Sequence, residues 1–314
     1  MIDLALLGTG GGMPMPGRYL AAALINYKGR KILIDCGEGT QVSMRLLGWG
    51  FKNIDVVCIT HGHGDHIVGL PGLLATIGNS GRTEPLTIIG PEGITNIVNG
   101  LRVIAQYLPY EVNIIENPKA VNLKVSKNNI VVSEDEEGCV IIVKLLEVDH
   151  SSPCVAYSYN IRRSPKFNVE KAKENNVPQK IWNILQKGEG IEFEGVRYTP
   201  DMVLGQSRKG IKLSYITDTR PMEDMVSFIK DSDLLISEGT YGDDEDIEKA
   251  IKNKHMTFRE AATLAREGNV EELILTHFSP AMSEPQMFLD NATSVYLKTR
   301  IGEDRMTCSL SFKE

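Results

Sequence analysis

Three histidines and an aspartate fall within six residues of this chain: His61, His63, Asp65 and His66 in THGHGDHIVGLPG, directly after the apolar run IDVVCIT. Packing has no use for so many costly polar groups side by side. Imidazole nitrogen and carboxylate oxygen both bind borderline cations such as zinc, so the run reads as a metal-ligand loop. His61 and His63, two residues apart, suit an extended or tightly turned loop that aims both at one ion, while Asp65 and His66 face a second position. Gly62 and Gly64 have no Cβ, and the expectation is that they let the backbone take strained angles so that the ligands converge. His150, Asp218 and His277 each end a later apolar run. Taken singly, His150 or Asp218 reads as a hydrogen-bonded residue at a strand end, and His255, in NKHMTFREAATLA, as an exposed residue at a helix start. Together the ligand-type residues overfill one tetrahedral ion, which makes two metals the economical count.

Apolar runs of β type recur at 2–7, 20–27, 31–35, 54–60, 86–90, 140–148, 155–161, 211–217, 233–237 and 272–276. Helical periodicity is clearest over 94–107, 223–230, 257–267 and 284–298. Thr257 followed by Glu260 is a capping box, which predicts a helix starting just after His255. Strands running into ligand-bearing loops, with helices outside, predict the α/β (α+β) class. The layout is a four-layer αββα sandwich in one domain over 1–314, with halves of roughly 1–155 and 156–314 and the site along one edge. GTGGGMPMPG follows a strand but lacks the GxGxxG spacing, and Pro14 and Pro16 oppose the helix that would hold a pyrophosphate, which argues against dinucleotide binding. DDEDIEK (243–249) reads as an exposed helix start. Five cysteines, odd in number and without a CxxC, argue against a disulfide framework and a thiolate zinc site. MIDLALLGTGGG has no basic leader, and no run approaches the roughly 20 apolar residues of a membrane span, so the expectation is a cytoplasmic protein with no membrane partner.

Nearly the whole length resembles a metallo-β-lactamase-fold hydrolase and, within that superfamily, the ribonuclease Z branch. The resemblance is carried by LLGTGGG, LIDCGEGTQ, ITHGHGDHIVGLPGLL, IIGPEG, VDHSSPCVAYSY, KGIKLSYITDTRP, HMTFREAATLA and ELILTHFSP. HxHxDH identifies only the superfamily, whereas DCGEGTQ with HGDHIVGLPGLL and LTHFSP is specific to the branch. The resemblance implies a metallo-β-lactamase sandwich with a protruding arm. It further implies a di-zinc endoribonuclease that removes the 3′ trailer of precursor tRNA, with manganese or iron also accepted by the ligand set. His61, His63 and His150 are then ligands of one zinc, Asp65, His66 and His277 of the other, and Asp218 bridges them. Asp65 also orients or deprotonates the attacking water. Asp35 supports the ligand loop, and Glu238 with His255 delivers a proton to the departing ribose oxygen. A homodimer is implied in the same way.

The formal charge of −7 is awkward for an RNA enzyme, because such affinity comes largely from lysine and arginine neutralising phosphates. Between Arg162 and Lys212, however, 11 Lys and Arg face 6 acids. The expectation is an inserted basic arm over 162–212 that grips tRNA. Lys180, Ile181 and Trp182 stand where the family's arm is Gly-Pro-rich, Ala281 and Met282 where an Arg-Tyr pair is common, and Ser237 where a histidine is common. These departures keep open a di-metal hydrolase of small phosphodiesters or other esters on the same fold. A metal- and RNA-binding protein without turnover is the remaining class, and Asp65, Glu238 and His255 speak against it.

Overall fold

The computed structural model describes residues 1–136 and 138–313. Two sheets face each other. The first has seven strands in the order Thr307–Leu310, Ile2–Gly8, Ala22–Tyr27, Arg30–Ile34, Ile54–Cys58, Leu86–Gly90 and Val112–Glu116. It is antiparallel up to Arg30–Ile34 and parallel beyond. The second has eight, in the order Thr299–Ile301, Leu273–Thr276, Leu234–Glu238, Arg208–Ile216, Val155–Arg163, Ile141–Glu147, Ala120–Val125 and Ile130–Ser133. There the first four strands are parallel and the rest antiparallel.

Three apolar layers follow from strands buried on both faces, which is why their sequences are continuous rather than alternating. Leu4, Ile25, Ile32 and Val56 meet Val143, Tyr157, Leu213 and Ile236 between the sheets. Outside the first sheet, Met44 of helix Thr40–Leu47, Leu73 and Ile77 of Leu70–Asn79 and Val98 of Ile94–Leu101 cover Leu24, Val57 and Ile88. Outside the second, Met225 and Ile229 of Glu223–Ile229 and Ala261 and Leu264 of Phe258–Glu267 cover Ile216, Leu235 and Leu273. The capping box forms, with Thr257 and Glu260 each bonded to the other's backbone. Asp243 caps the acidic turn before helix Ile247–Asn253. Among the described residues no helix is long and apolar enough to cross a membrane.

The halves divide differently from the expected boundary at 155. Val112–Glu116 closes the first sheet and Ala120–Val125 opens in the second, so the crossover is at 117–119. The strands at 112–116, 120–125, 130–133, 299–301 and 307–310 escaped the sequence reading because they are short edge or near-edge pieces, mostly half-exposed. The expected helix over 94–107 stops at Leu101 and continues as the 3₁₀ turn Arg102–Ile104.

The arm also needs correcting. Arg162 and Arg163 end one central strand and Arg208 to Lys212 begin the next, so the excursion proper is 164–207. Within 164–207 six Lys and Arg face six acids. The arm is electroneutral, and the whole positive excess sits at its root, on Arg162, Arg163, Arg208, Lys209 and Lys212. The arm has a small core of its own, Ala172, Val177, Ile181, Leu185 and Val203, against which Trp182 and Phe167 pack.

Candidate metal centre

Parallel strands deliver their C-terminal ends to one edge of the sandwich, where loops can gather side chains from distant parts of the chain. Ile54–Cys58 leads to His61 and to the short helix Gly64–Ile67, which carries Asp65 and His66. Arg208–Ile216 leads to Asp218, Leu234–Glu238 ends on Glu238, and Leu273–Thr276 leads to His277. Donor atoms of His61, His63, His150 and Asp218 all lie within 4.8 Å of one another, as do those of Asp65, His66, Asp218 and His277. Asp218 belongs to both groups. All seven sequence-predicted ligands therefore converge, and His255 with Glu238 stands beside them in a third group that also includes His277.

Gly62 and Gly64 work differently from the expectation, since neither has a positive φ. A Cβ on Gly62 would sit 2.4 Å from Ile97 Cδ1, the tip of an exposed side chain, while Gly64 begins the short helix. The strained backbone lies elsewhere: Asp35, Asp218 and His277 have φ of 56°, 50° and 59°. Aspartate and histidine tolerate this left-handed region better than most residues, and its modest cost is met only where surroundings fix the geometry.

The imidazoles are oriented for lone-pair donation. His66 Nδ1 is 2.8 Å from Asp35 Oδ2. His61 Nδ1 meets the Thr60 hydroxyl at 3.2 Å, and that hydroxyl donates to Asp35 Oδ2 at 2.8 Å. His277 Nδ1 meets Thr240 Oγ1 at 3.1 Å, and His150 Nδ1 donates to the Lys254 carbonyl at 3.3 Å. With the outer nitrogen donating, each of these four rings turns a bare Nε2 inward, the arrangement that second partners impose on ligating histidines. His63 presents Nδ1 instead, 3.1 Å from both His61 Nε2 and His150 Nε2. His66 Nε2 and His277 Nε2 are also 3.1 Å apart. Nitrogens bound tetrahedrally at about 2.0–2.1 Å stand about 3.3 Å from one another, so the donor set fits a divalent cation in each group.

Charge supports the same fit. Burial pushes the Asp218 carboxyl up, but the imidazoles of His277, His66 and His61 outweigh it and hold the group well below the usual carboxylate range. Burial and the neighbouring His66 push His61 well below its ordinary value, leaving it neutral and able to donate. At His66 itself Asp218 and Asp35 overcome burial and push the group well up, so a cation at its Nε2 would take the place of a proton.

Glu238 is fully buried and satisfied on both oxygens: Thr219 N donates to Oε1 at 2.6 Å, and Thr240 Oγ1 and Met256 N donate to Oε2 at 2.6 and 3.0 Å. His255 Nδ1 lies 3.2 Å from Oε2. Burial opposes a charge on His255, yet the Glu238 carboxylate and its hydrogen bond win and push the imidazolium up to about 9. Arg220 fixes the His255 carbonyl and pairs with Glu260. The resulting cleft, about 480 Å³, exposes His63, Asp65 and His255 and is rimmed by Tyr241, Lys252 and Ser279.

Sequence reading missed three contributors. Thr60 and Thr240 carry the outer hydrogen bonds of His61 and His277, but an isolated threonine has no signal. The GTGGG loop holds Asp65, with Gly12 N donating to Oδ2 at 2.6 Å, and a Cβ on Gly11 would sit 2.4 Å from the His277 ring. The glycines were legible, but their partner was not.

Residues 2–106 match the family model described as anti-Pycsar protein Apyc1, and 175–278 match a beta-lactamase superfamily domain. Over 314 residues, the full length of both chains, the sequence is 60% identical to a ribonuclease Z of Clostridium tetani. A ribonuclease Z of Clostridium beijerinckii is 62% identical over 315 residues, again covering both chains completely. Among solved structures, human tRNase Z, short form, superposes with a TM-score of 0.66 at 25% identity, over 98% of this chain and 99% of that one. A metallo-beta-lactamase fold protein of Bacillus subtilis, 18% identical with a TM-score of 0.67 over 98% of each chain, shares the fold.

Proposed function

This chain belongs to the ribonuclease Z family, and from that premise we propose how its residues divide the work of a metal-dependent endoribonuclease that removes the 3′ trailer of precursor tRNA. His61, His63 and His150 would hold one zinc ion, Asp65, His66 and His277 the other, with Asp218 shared between the two groups. Bound there, the two cations would supply an acidic water and charge neutralisation at the phosphate. Asp65, held by the Gly12 amide at 2.6 Å and facing the cleft, orients or deprotonates the attacking water. His255, charged at neutral pH and facing the cleft, donates a proton to the ribose oxygen as the phosphodiester bond breaks, and buried Glu238 keeps it charged. An alkoxide leaves poorly without that proton.

The observation that carries this reading is the pair of donor groups joined through Asp218, with a Glu238–His255 acid beside them. Apolar side chains also stand exposed on helix Thr40–Leu47, at Val42 and Leu46, and on 102–107, where Ile104 is 84% and Tyr107 96% exposed. Surfaces of this kind suit association, in support of a homodimer. The five cysteines are all free, which fits the reducing cytoplasm.

The test is elemental analysis of pure protein together with cleavage of a 3′-extended precursor tRNA by wild type and Asp65→Ala. Near two zinc per chain and a loss of about 10³-fold or more in the variant are expected, given several kcal/mol of lost stabilisation. Turnover that survives Asp65→Ala or thorough chelation refutes the mechanism. Cleavage of a small phosphodiester with no action on precursor tRNA moves the protein to the small-ester class.

A further inference from the structure

A cleft of about 1240 Å³ lies away from the metal centre. It opens at the root of the arm, where strand Val155–Arg163 ends and strand Arg208–Ile216 begins. The other end of Val155–Arg163 starts beside the ligand loop, because Cys154 bridges to His61. At about 3.3 Å per residue, the lining residues Asn160 to Arg163 stand roughly 17 to 26 Å along the strand from Val155, beside that loop. The cleft exceeds the ~300–1,000 Å³ of an ordinary small-molecule site, and a small phosphodiester cannot touch both places.

Its lining collects the entire positive excess of the arm root. Arg162, Arg163, Arg208, Lys209 and Lys212 all face it, joined by Lys28 from the first hairpin, Lys187 from the arm and Lys230 after helix Glu223–Ile229. Among the described residues Asp231 is the one acid in the lining. What matters is how these cations are held. Arg208 bonds the Ser164 carbonyl, and Lys212 Nζ bonds the carbonyls of Phe228 and Lys230 at 2.6 and 2.8 Å. Arg163 bonds the Lys313 carbonyl and lies over the Phe312 ring. Carbonyls fix the side chains without neutralising them, whereas the paired exceptions are Arg162 with Glu136 and Lys209 with Asp233. A protein of net charge −7 that keeps fixed, uncompensated cations in one open groove has built an attractor for a polyanion.

Resting on the RNA-processing reading above, we propose that this root cleft, rather than the electroneutral arm, is the main electrostatic seat for the phosphodiester backbone of the RNA whose 3′ junction occupies a metal centre. A tethered arginine retains free N–H donors for phosphate oxygens, and lysines act as point charges around them. Phosphate contacts of this kind position a duplex without reading its sequence. The arm contributes shape, and its root contributes charge.

The experiment compares two triple variants that remove the same charge, K28Q/K187Q/K230Q in the cleft and K166Q/K173Q/K180Q on the arm body, all at exposed positions. For each, kcat/KM is measured on precursor tRNA and on bis(p-nitrophenyl) phosphate across a salt series. The cleft variant should lose about tenfold or more on precursor tRNA at low salt. Its slope of log kcat/KM against log salt should shrink by about 2–3, near 0.7–0.9 for each phosphate that a lysine no longer neutralises. Activity on the small ester should stay within about twofold. The arm variant should lose less and keep its slope. Equal losses in the two variants, or an unchanged slope in the cleft variant, overturn the inference while precursor tRNA is still cut. Wild type that leaves precursor tRNA uncut refutes the activity instead, and binding of a plain 12-base-pair RNA duplex then tests the cleft alone. If the cleft variant binds that duplex normally but loses affinity for polyglutamate, an acidic polypeptide is the occupant and the RNA assignment falls.

Discussion

The metal centre and the root cleft lie at opposite ends of the same strand and meet charge in opposite ways. At the metal edge every imidazole and carboxylate is buried or partly buried, and the outer nitrogens of His61, His66, His150 and His277 each have a partner. At the root the cations are exposed or half-exposed and tied mainly to carbonyls, so their charge is left over. The first arrangement gives fixed geometry at the cost of strained backbone at Asp35, Asp218 and His277. The second gives long-range attraction that salt can screen and that tolerates a mobile partner. One end of the strand is built for chemistry and the other for capture, which explains how an acidic protein can process RNA.

If that contrast is right, a support residue at the metal end should matter far more than any cation at the root. Asp35 accepts from Thr60 N at 2.7 Å and meets His66 at 2.8 Å in a fully buried position. Asp35→Ala should weaken divalent-metal binding about 10–100-fold and cost roughly 3–5 kcal/mol of stability, because it strands buried donors. Metal titration and thermal melting report both effects. Unchanged melting and full metal affinity would erase the distinction between the two ends.

A smaller loss, confined to one step, is expected at His255. His255→Ala should lower kcat on precursor tRNA about 10²–10⁴-fold while retaining both metals. On bis(p-nitrophenyl) phosphate it should do little, since a nitrophenolate leaves without a proton. The donor form is present below the raised pKa and is lost as pH rises through it, so the wild-type rate falls on the alkaline side. Glu238→Gln removes the charge that raises this group and should move the fall to lower pH. Loss of zinc from His255→Ala, or equal losses on the two substrates, would make the residue a ligand instead of an acid.

The two ends differed equally in how far the sequence could be read. The convergence of HGHGDH, His150, Asp218 and His277 was visible because ligand-type residues are rare, and here they cluster or sit at the ends of apolar runs. Thr60, Thr240 and the αL conformations of Asp35 and His277 were invisible, because they depend on which distant group lies opposite. At the arm the charge count was correct and its location was not. Summing over 162–212 merged two strand ends with the loop between them, and only strand pairing shows that the excess belongs to the strands. Lys28 and Lys230 lie far outside that window and join the cleft through the fold alone. Likewise Ile181 and Trp182, departures from a Gly-Pro-rich arm, become intelligible as its core.

That core sets the smallest expected effect. Trp182 packs on Phe167 with ring centroids 5.0 Å apart and donates Nε1–H to the Val177 carbonyl at 2.9 Å. It is only half-buried, so Trp182→Ala should cost less than the about 3–5 kcal/mol of a fully buried aromatic. The apolar cluster of the arm shares no residue with the three layers of the body, so the loss should stay local. Limited proteolysis between 164 and 207 should speed up, while the main thermal transition and hydrolysis of the small ester hold. Precursor tRNA cleavage should fall only a few-fold, with its salt dependence intact, because the root cations remain in place on rigid strands. A variant that instead melts early as a whole would tie arm and body into one cooperative unit, and the division between a shape-giving arm and a charged root would have to be abandoned.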